Sequence, residues 1–116
     1  MRQFGPKRAV LAALAVGAAS LLATSPAQPQ SGPRQFTVVM DNMDFGSVPK
    51  EAKVGDVIIW DNRDTVQHTA TARDGSFDVR LQPGKKGRTV LRKAGNLAIY
   101  CIYHPMMRTT LKVAAS

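Results

Sequence analysis

Residues 54–64 read VGDVIIWDNRD, and this stretch decides how the rest of the chain is interpreted. The segment Asp56–Trp60 follows Gly55 and is rich in β-branched residues, which predicts an interior β-strand. Asn62-Arg63-Asp64 then carries polar residues that are typical of a turn. We expect Trp60 to lie in the core.

Similar short strands, separated by turn residues, are predicted on both sides of this one. The turn signals include Asp41-Asn42, Gly46, Pro49, Asp74-Gly75 and Pro83-Gly84. The predicted strands are Phe36–Met40, Arg88–Arg92, Leu97–Ile102 and Thr109–Val113, the last with Leu111 and Val113 on one face. The chain shows no repeat and no amphipathic helix, so the pattern predicts an all-β sandwich or barrel.

Composition limits both the size of the protein and the kinds of site it can build. The chain has 116 residues and a formal net charge of +8, and it contains one Cys and two His. This length accommodates one ordinary domain. One Cys excludes an intramolecular disulfide, a Cys-rich zinc site and an iron–sulfur cluster. Two His cannot supply a three-His zinc site.

The N-terminal residues have the pattern of a secretory signal peptide. Basic residues precede the apolar run Ala9–Leu22, which is too short to span a membrane, and Ser25-Pro26-Ala27 offers small residues for cleavage. We therefore predict a signal peptide at 1–27, a flexible leader at 28–35 and the folded domain at 36–116. The protein is expected in the periplasm, without stable membrane insertion.

Export also bears on the positive charge. No basic run interleaved with aromatic residues supports nucleic-acid binding, and an exported protein has little access to nucleic acid. A basic cluster is interpreted as a solvated face, with a role in docking as the alternative; it consists of Lys85, Lys86, Arg88, Arg92 and Lys93.

The segment Cys101–Met107 reads CIYHPMM and carries the metal-binding chemistry. Strand alternation places Cys101 on the face shared by Leu97 and Ile99, so its sulfur points into the core if they do. A thiolate, the two imidazoles of His68 and His104, and a Met thioether form the ligand set of a blue-copper site. With all four positions taken there is no opening for a substrate, so such a site suits electron transfer better than catalysis.

With these motifs the chain resembles the cupredoxins, in particular those of the amicyanin/plastocyanin type, over about Phe36–Val113. Residues 54–64, the segment around His68 and the loop after Cys101 carry the resemblance. It implies a Greek-key β-sandwich and one copper ion that alternates between Cu(I) and Cu(II). The family's ligands fall on His68, Cys101 and His104. Amicyanin-like loop spacing selects Met107 as the axial ligand, with Met106 as the alternative.

The resemblance further implies a monomeric electron shuttle rather than an enzyme. Its partners would be redox proteins such as a c-type cytochrome or a quinoprotein dehydrogenase. His104 is expected to expose its ring edge as the electron port, inside an apolar collar of Tyr103, Pro105 and Met106. One departure stands out: many cupredoxins place Asn directly after the first His, where this chain has Thr69.

Two other functions use the same residues. The first is a periplasmic copper carrier or resistance protein that delivers the metal. The second is a thiol enzyme with Cys101 as nucleophile and His104 as base, which would also need an accessible pocket.

Overall fold

The computed structural model describes residues 32–116 without a break and, before them, only residues 5, 15, 17–19 and 22. The predicted signal peptide, apart from those few positions, and the start of the predicted leader therefore lie outside the described residues. Within the described residues, no helix has the length and apolar character needed to span a membrane.

Residues 32–116 form nine β-strands in two mixed sheets. One sheet has four strands in the order β2-β1-β4-β7, and the other has five in the order β3-β9-β8-β5-β6. The strands are β1 Gln35–Asp41, β2 Asp44–Phe45, β3 Ala52–Lys53, β4 Val57–Asn62, β5 His68–Ala72, β6 Asp78–Leu81, β7 Lys86–Val90, β8 Gly95–Tyr100 and β9 Arg108–Ala114. The predicted all-β sandwich is confirmed.

Strand β4 occupies the interior position predicted from its sequence. It pairs in parallel with β1 and antiparallel with β7. Ile58 and Trp60 point into the core and are fully buried. The indole Nε1–H of Trp60 donates a hydrogen bond of 3.0 Å to Oγ1 of Thr89, which satisfies the one polar atom that this large side chain brings inside.

The five-stranded sheet supplies the other side of the core through β8 and β9. Leu97 and Ile99 of β8 are buried together with Cys101, as the alternation predicted, and Leu111 and Val113 of β9 are buried on the same side. Cys101 follows the last residue of β8, so a strand ending in the core delivers its sulfur to one end of the sandwich.

The strands predicted from the sequence do not include every observed strand. No strand was predicted around His68, but this residue is the first of β5, and all five residues of that strand are buried. The segment lacks large apolar residues, so its burial is not visible as a hydrophobic pattern. Strands β6 and β7 are also displaced from expectation: β6 was missed, and β7 begins at Lys86 rather than at Arg88.

The fold extends into the predicted leader. Arg34 donates its backbone N–H and a guanidinium N–H to the two carboxylate oxygens of Asp56, at 2.9 and 3.0 Å. Its carbonyl accepts the N–H of Val57 at 2.8 Å. These bonds fix the start of β1 against the turn that precedes β4.

Candidate metal centre

Three of the four predicted ligand residues meet at one end of the sandwich. Nδ1 of His68 lies 3.8 Å from Sγ of Cys101, and Nδ1 of His104 lies 3.7 Å from the same sulfur. One donor atom from each residue falls within 4.8 Å of the others. The two imidazole rings stand nearly perpendicular, with their centroids 5.1 Å apart.

These separations fit a single ion held by all three side chains. A first-row ion with bonds of about 2.3 Å to sulfur and about 2.1 Å to nitrogen separates the two donors by about 3.8 Å at a trigonal angle. Both sulfur–nitrogen distances match that value. A thiolate combined with two imidazoles is a donor set that suits copper, so the residues fit the group that the sequence predicted.

The loop that carries Cys101 and His104 closes on itself. The N–H of Cys101 donates to the carbonyl of Met107 at 3.0 Å, and the N–H of Met107 donates to the carbonyl of His104 at 2.8 Å. Met107 is 1% exposed and packs in the core cluster with Cys101, whereas Met106 is 86% exposed. The two adjacent methionines therefore have opposite environments.

Asp64 orients His68 from the side opposite the sulfur. Its Oδ2 lies 2.6 Å from Nε2 of the fully buried His68. The carboxylate also accepts the backbone N–H groups of Asn42 and Met43, each at 2.9 Å, from the tight turn between β1 and β2. The bond to His68, with these amides, lowers the pKa of Asp64 to about 2. With Nε2 engaged, Nδ1 of His68 faces the sulfur, the arrangement by which carboxylates orient metal-binding imidazoles.

Thr69 links the strand of the first His to the loop of the Cys. Its backbone N–H donates to Sγ of Cys101 at 3.3 Å, and its Oγ1 accepts the N–H of Ile102 at 2.9 Å. The same hydroxyl lies 2.9 Å from Oγ1 of Thr71, which donates to Asp78 at 2.9 Å. Since the Thr71 proton goes to the carboxylate, the Thr69 hydroxyl must donate to Thr71. Thr69 thus ties the strand that begins at His68 to the loop that follows Cys101.

The loop reaches the surface beside His104. His104 is partly buried, while Tyr103, Pro105 and Met106 are exposed around it. The guanidinium of Arg80 lies 3.4 Å from the hydroxyl of Tyr103 and also binds Asp78. One edge of the imidazole pair therefore lies near solvent, within a rim that is mostly apolar.

Sequence reasoning singled out the candidate ligands but missed residues that hold them in position. Asp64 was noted only as a residue of the turn after the strand that ends at Trp60, and neither Thr71 nor Asp78 was singled out. Their involvement depends on the pairing of β5 with β6, in which Thr71 lies opposite Asp78. The sequence offered one indication, because Thr69 and Thr71 alternate and so place two hydroxyl groups on the same face of a strand.

A two-sheet β-sandwich with a His-Cys-His group at one end, its Cys and one His buried, is the arrangement of the cupredoxin class. Comparison with solved structures agrees on the fold. A Cu(I) structure of an amicyanin mutant superposes with a TM-score of 0.59 at 21% identity, covering 69% of this chain and 82% of that one. A purple cupredoxin from Nitrosopumilus maritimus gives 0.58 at 20% identity, covering 67% and 98%.

A relative in sequence identifies the family. Methylamine utilization protein MauL of Methylorubrum extorquens is 32% identical over 85 residues, which are 70% of this chain and 75% of MauL. No protein-family model matches the chain. The chain belongs to the amicyanin-like cupredoxins, in the family of MauL.

Proposed function

We propose that the protein is a blue-copper electron carrier that binds one copper ion through His68, Cys101, His104 and Met107. The observation that carries the proposal is the position of the two imidazole nitrogens, 3.7 and 3.8 Å from one buried sulfur. When bound, copper would supply a one-electron couple between Cu(I) and Cu(II).

The protein's own residues would keep the donor atoms in place in both oxidation states. His68 is held through Asp64, and Cys101 receives the N–H of Thr69. The short hydrogen-bonded loop fixes His104 relative to Met107. Because these contacts belong to the protein and not to the ion, little has to move when an electron arrives or leaves.

Met107 is the better candidate for the fourth, axial ligand. It is buried in the cluster that contains Cys101, whereas Met106 projects into solvent. The hydrogen bond from the Cys101 N–H to the Met107 carbonyl also keeps this residue next to the Cys, so its thioether would be available as a fourth ligand.

The exposed edge at His104 would be the point of electron exchange. Tyr103 and Met106, 44% and 86% exposed, would provide a small apolar contact around it. Small interfaces of this kind suit brief encounters between redox proteins. We place the protein in the periplasm, with a c-type cytochrome or a quinoprotein dehydrogenase as partner; the name of MauL associates that relative with methylamine utilization.

The test is the visible spectrum of the purified protein with one equivalent of Cu(II). We expect an intense blue thiolate-to-copper band that Cys101→Ser abolishes. Met107→Leu should shift the band or the reduction potential, and the matched control Met106→Leu should leave both unchanged. Absence of the band in the wild-type protein would contradict the proposal.

A second measurement separates an electron carrier from a copper carrier that uses the same ligands. His68 and Cys101 are both fully buried, which favours retention of the metal. The protein should keep copper through a challenge with a chelator and exchange electrons rapidly with cytochrome c. Ready transfer of Cu(I) to an acceptor, with slow electron exchange, would favour the carrier.

A further inference from the structure

A cleft on the outer face of the five-stranded sheet lies beside the proposed copper site. It has a volume of about 430 Å³ and is lined by Arg73, Ala98, Ile99, Arg108, Thr109 and Thr110. In register, Arg108 of β9 lies opposite Tyr100 of β8, the residue before Cys101. One border of the cleft, Arg108, therefore lies across from the residue that precedes Cys101 in the chain.

Among the described residues, the two arginines of the cleft form no ion pair, a property that they share with Arg88 and Arg92 outside the cleft. Arg34, Arg63 and Arg80 each form an ion pair with an aspartate. Neither Arg73 nor Arg108 takes part in an ion pair found among the described residues, and both are exposed. Two guanidinium groups thus border one cleft that has no carboxylate in its lining.

Arg73 is held in position before any partner binds. Its guanidinium carbon lies 4.2 Å from the centroid of the Tyr100 ring, and its backbone N–H donates to the carbonyl of Ala98 at 2.9 Å. Stacking on an aromatic ring leaves the N–H groups at the edge of the guanidinium free for a planar acceptor such as carboxylate. A preorganised side chain also loses less entropy on binding.

Small residues form the floor between the two charges. Ala98 and Thr110 lie directly opposite each other in the β8–β9 pair. Their short side chains leave room for a group that projects from a partner. Two residues after Thr110, the exposed Lys112 adds another positive charge to this face. The face is therefore complementary in shape and in charge to a protruding acidic side chain.

We infer that the Arg73–Arg108 cleft is a docking site for a carboxylate-rich surface of a protein partner. The inference rests on the proposed electron-transfer function, because it places an acidic redox protein against this face. Charge complementarity of this kind raises the rate of encounter and makes it sensitive to salt.

The test uses the Cu(I)-loaded, ¹⁵N-labelled protein and succinylated cytochrome c, an acidic redox protein, at low ionic strength. We expect amide shift changes at Arg73, Ala98, Tyr100 and Arg108, which disappear at about 0.2 M salt because the Debye length falls below about 8 Å. Arg73→Gln and Arg108→Gln should each weaken binding about two- to fivefold, the range expected for one exposed ion pair.

Arg88→Gln is the matched control, since Arg88 is an exposed arginine of β7 in the other sheet. It removes the same charge and should change the affinity for succinylated cytochrome c much less than the two cleft variants do. Equal loss in all three variants would reduce the effect to net charge and overturn the inference. Shift changes confined to the loop from Tyr103 to Met106 would also overturn it.

Two further probes complete the test. Unmodified cytochrome c, which is basic, should not produce the shifts at the cleft. The second probe is a vesicle of anionic phosphatidylglycerol. If such vesicles bind as tightly as succinylated cytochrome c does, and with the same dependence on Arg73 and Arg108, the cleft is a lipid site and the proposed protein partner is refuted. The readout is binding, so its failure would leave the blue band of the proposed copper site intact.

Discussion

Replacement of Thr69 by Val tests whether the hydroxyl of this residue joins the two ligand segments. Val has nearly the same shape as Thr but cannot accept a hydrogen bond. The substitution removes the acceptor of the Ile102 N–H and the partner of the Thr71 hydroxyl, both at 2.9 Å. The backbone N–H that reaches Cys101 Sγ is unaffected, so the change isolates the hydroxyl.

The expected loss follows from the groups left without partners. The Ile102 N–H is partly buried, so leaving it without an acceptor costs about 1 kcal/mol, and loss of the buried Thr69–Thr71 hydrogen bond costs about as much. The Thr71 hydroxyl keeps its bond to Asp78. We expect the free energy of unfolding of the metal-free protein to fall by about 2 kcal/mol. For a domain of this size that corresponds to a decrease in Tm of about 10 °C.

Urea denaturation of the metal-free protein, followed by Trp60 fluorescence, measures the loss. Thr69→Ser is the control, because it keeps the hydroxyl and removes one methyl group worth about 1 kcal/mol. Amide hydrogen exchange at Ile102 should accelerate in the Val variant and not in the Ser variant. If Val is no more destabilising than Ser, and Ile102 exchanges at its original rate, the link through Thr69 is refuted.

Three other predictions concern residues outside the candidate ligand set. Burial alone would raise the pKa of Asp56. The N–H groups and charge of Arg34, together with the backbone N–H of Lys53, have a larger effect in the opposite direction and leave this pKa below its ordinary value of 3.8. The stability that this carboxylate contributes is therefore present above about pH 4 and is lost as pH falls through the lowered pKa. Urea denaturation at several pH values should show that the free energy of unfolding falls less steeply in acid for Asp56→Asn than for the wild type. An unchanged pH dependence would contradict the assignment. Met43 has a φ of +60°, so Met43→Gly should relieve its left-handed conformation and stabilise the protein by about 1 kcal/mol in thermal unfolding, whereas a loss of stability would refute the strain. A Cβ at residue 87 would lie 2.5 Å from Cγ1 of Val79, so Gly87→Ala should cost about 1–3 kcal/mol, and a neutral result would mean that β6 and β7 can separate at low cost.

Alternation along the strands explains what could be predicted about the fold. Large apolar residues at every second position mark β8 and β9, and the run ending at Trp60 marks β4. Strands without that pattern were missed. Strand β5 is buried through Thr and Ala, and β2 and β3 have two residues each, too few to show any periodicity.

The same contrast applies to the candidate metal centre. Cys101, His104 and Met107 lie close together in the chain, so local spacing was enough to predict that they act together. His68 comes from a distant segment, and it was included as the second imidazole of the chain, a choice that the resemblance to a family supported. That resemblance could not reveal which hydrogen bonds Thr69 makes at a position where many cupredoxins have Asn.

The sequence by itself determined the all-β class and the segment that carries the Cys and its neighbouring candidate donors, because these depend on residue type and local spacing. Tertiary structure decided the rest. It bound the carboxylate of Asp64, which faces His68, to the backbone amides of the turn between β1 and β2, separated the buried Met107 from the exposed Met106, and placed Arg73 and Arg108 in the lining of one cleft. Each of these depends on which strands pair and in what register, and pairing across the sheets is not encoded in any single stretch of the chain.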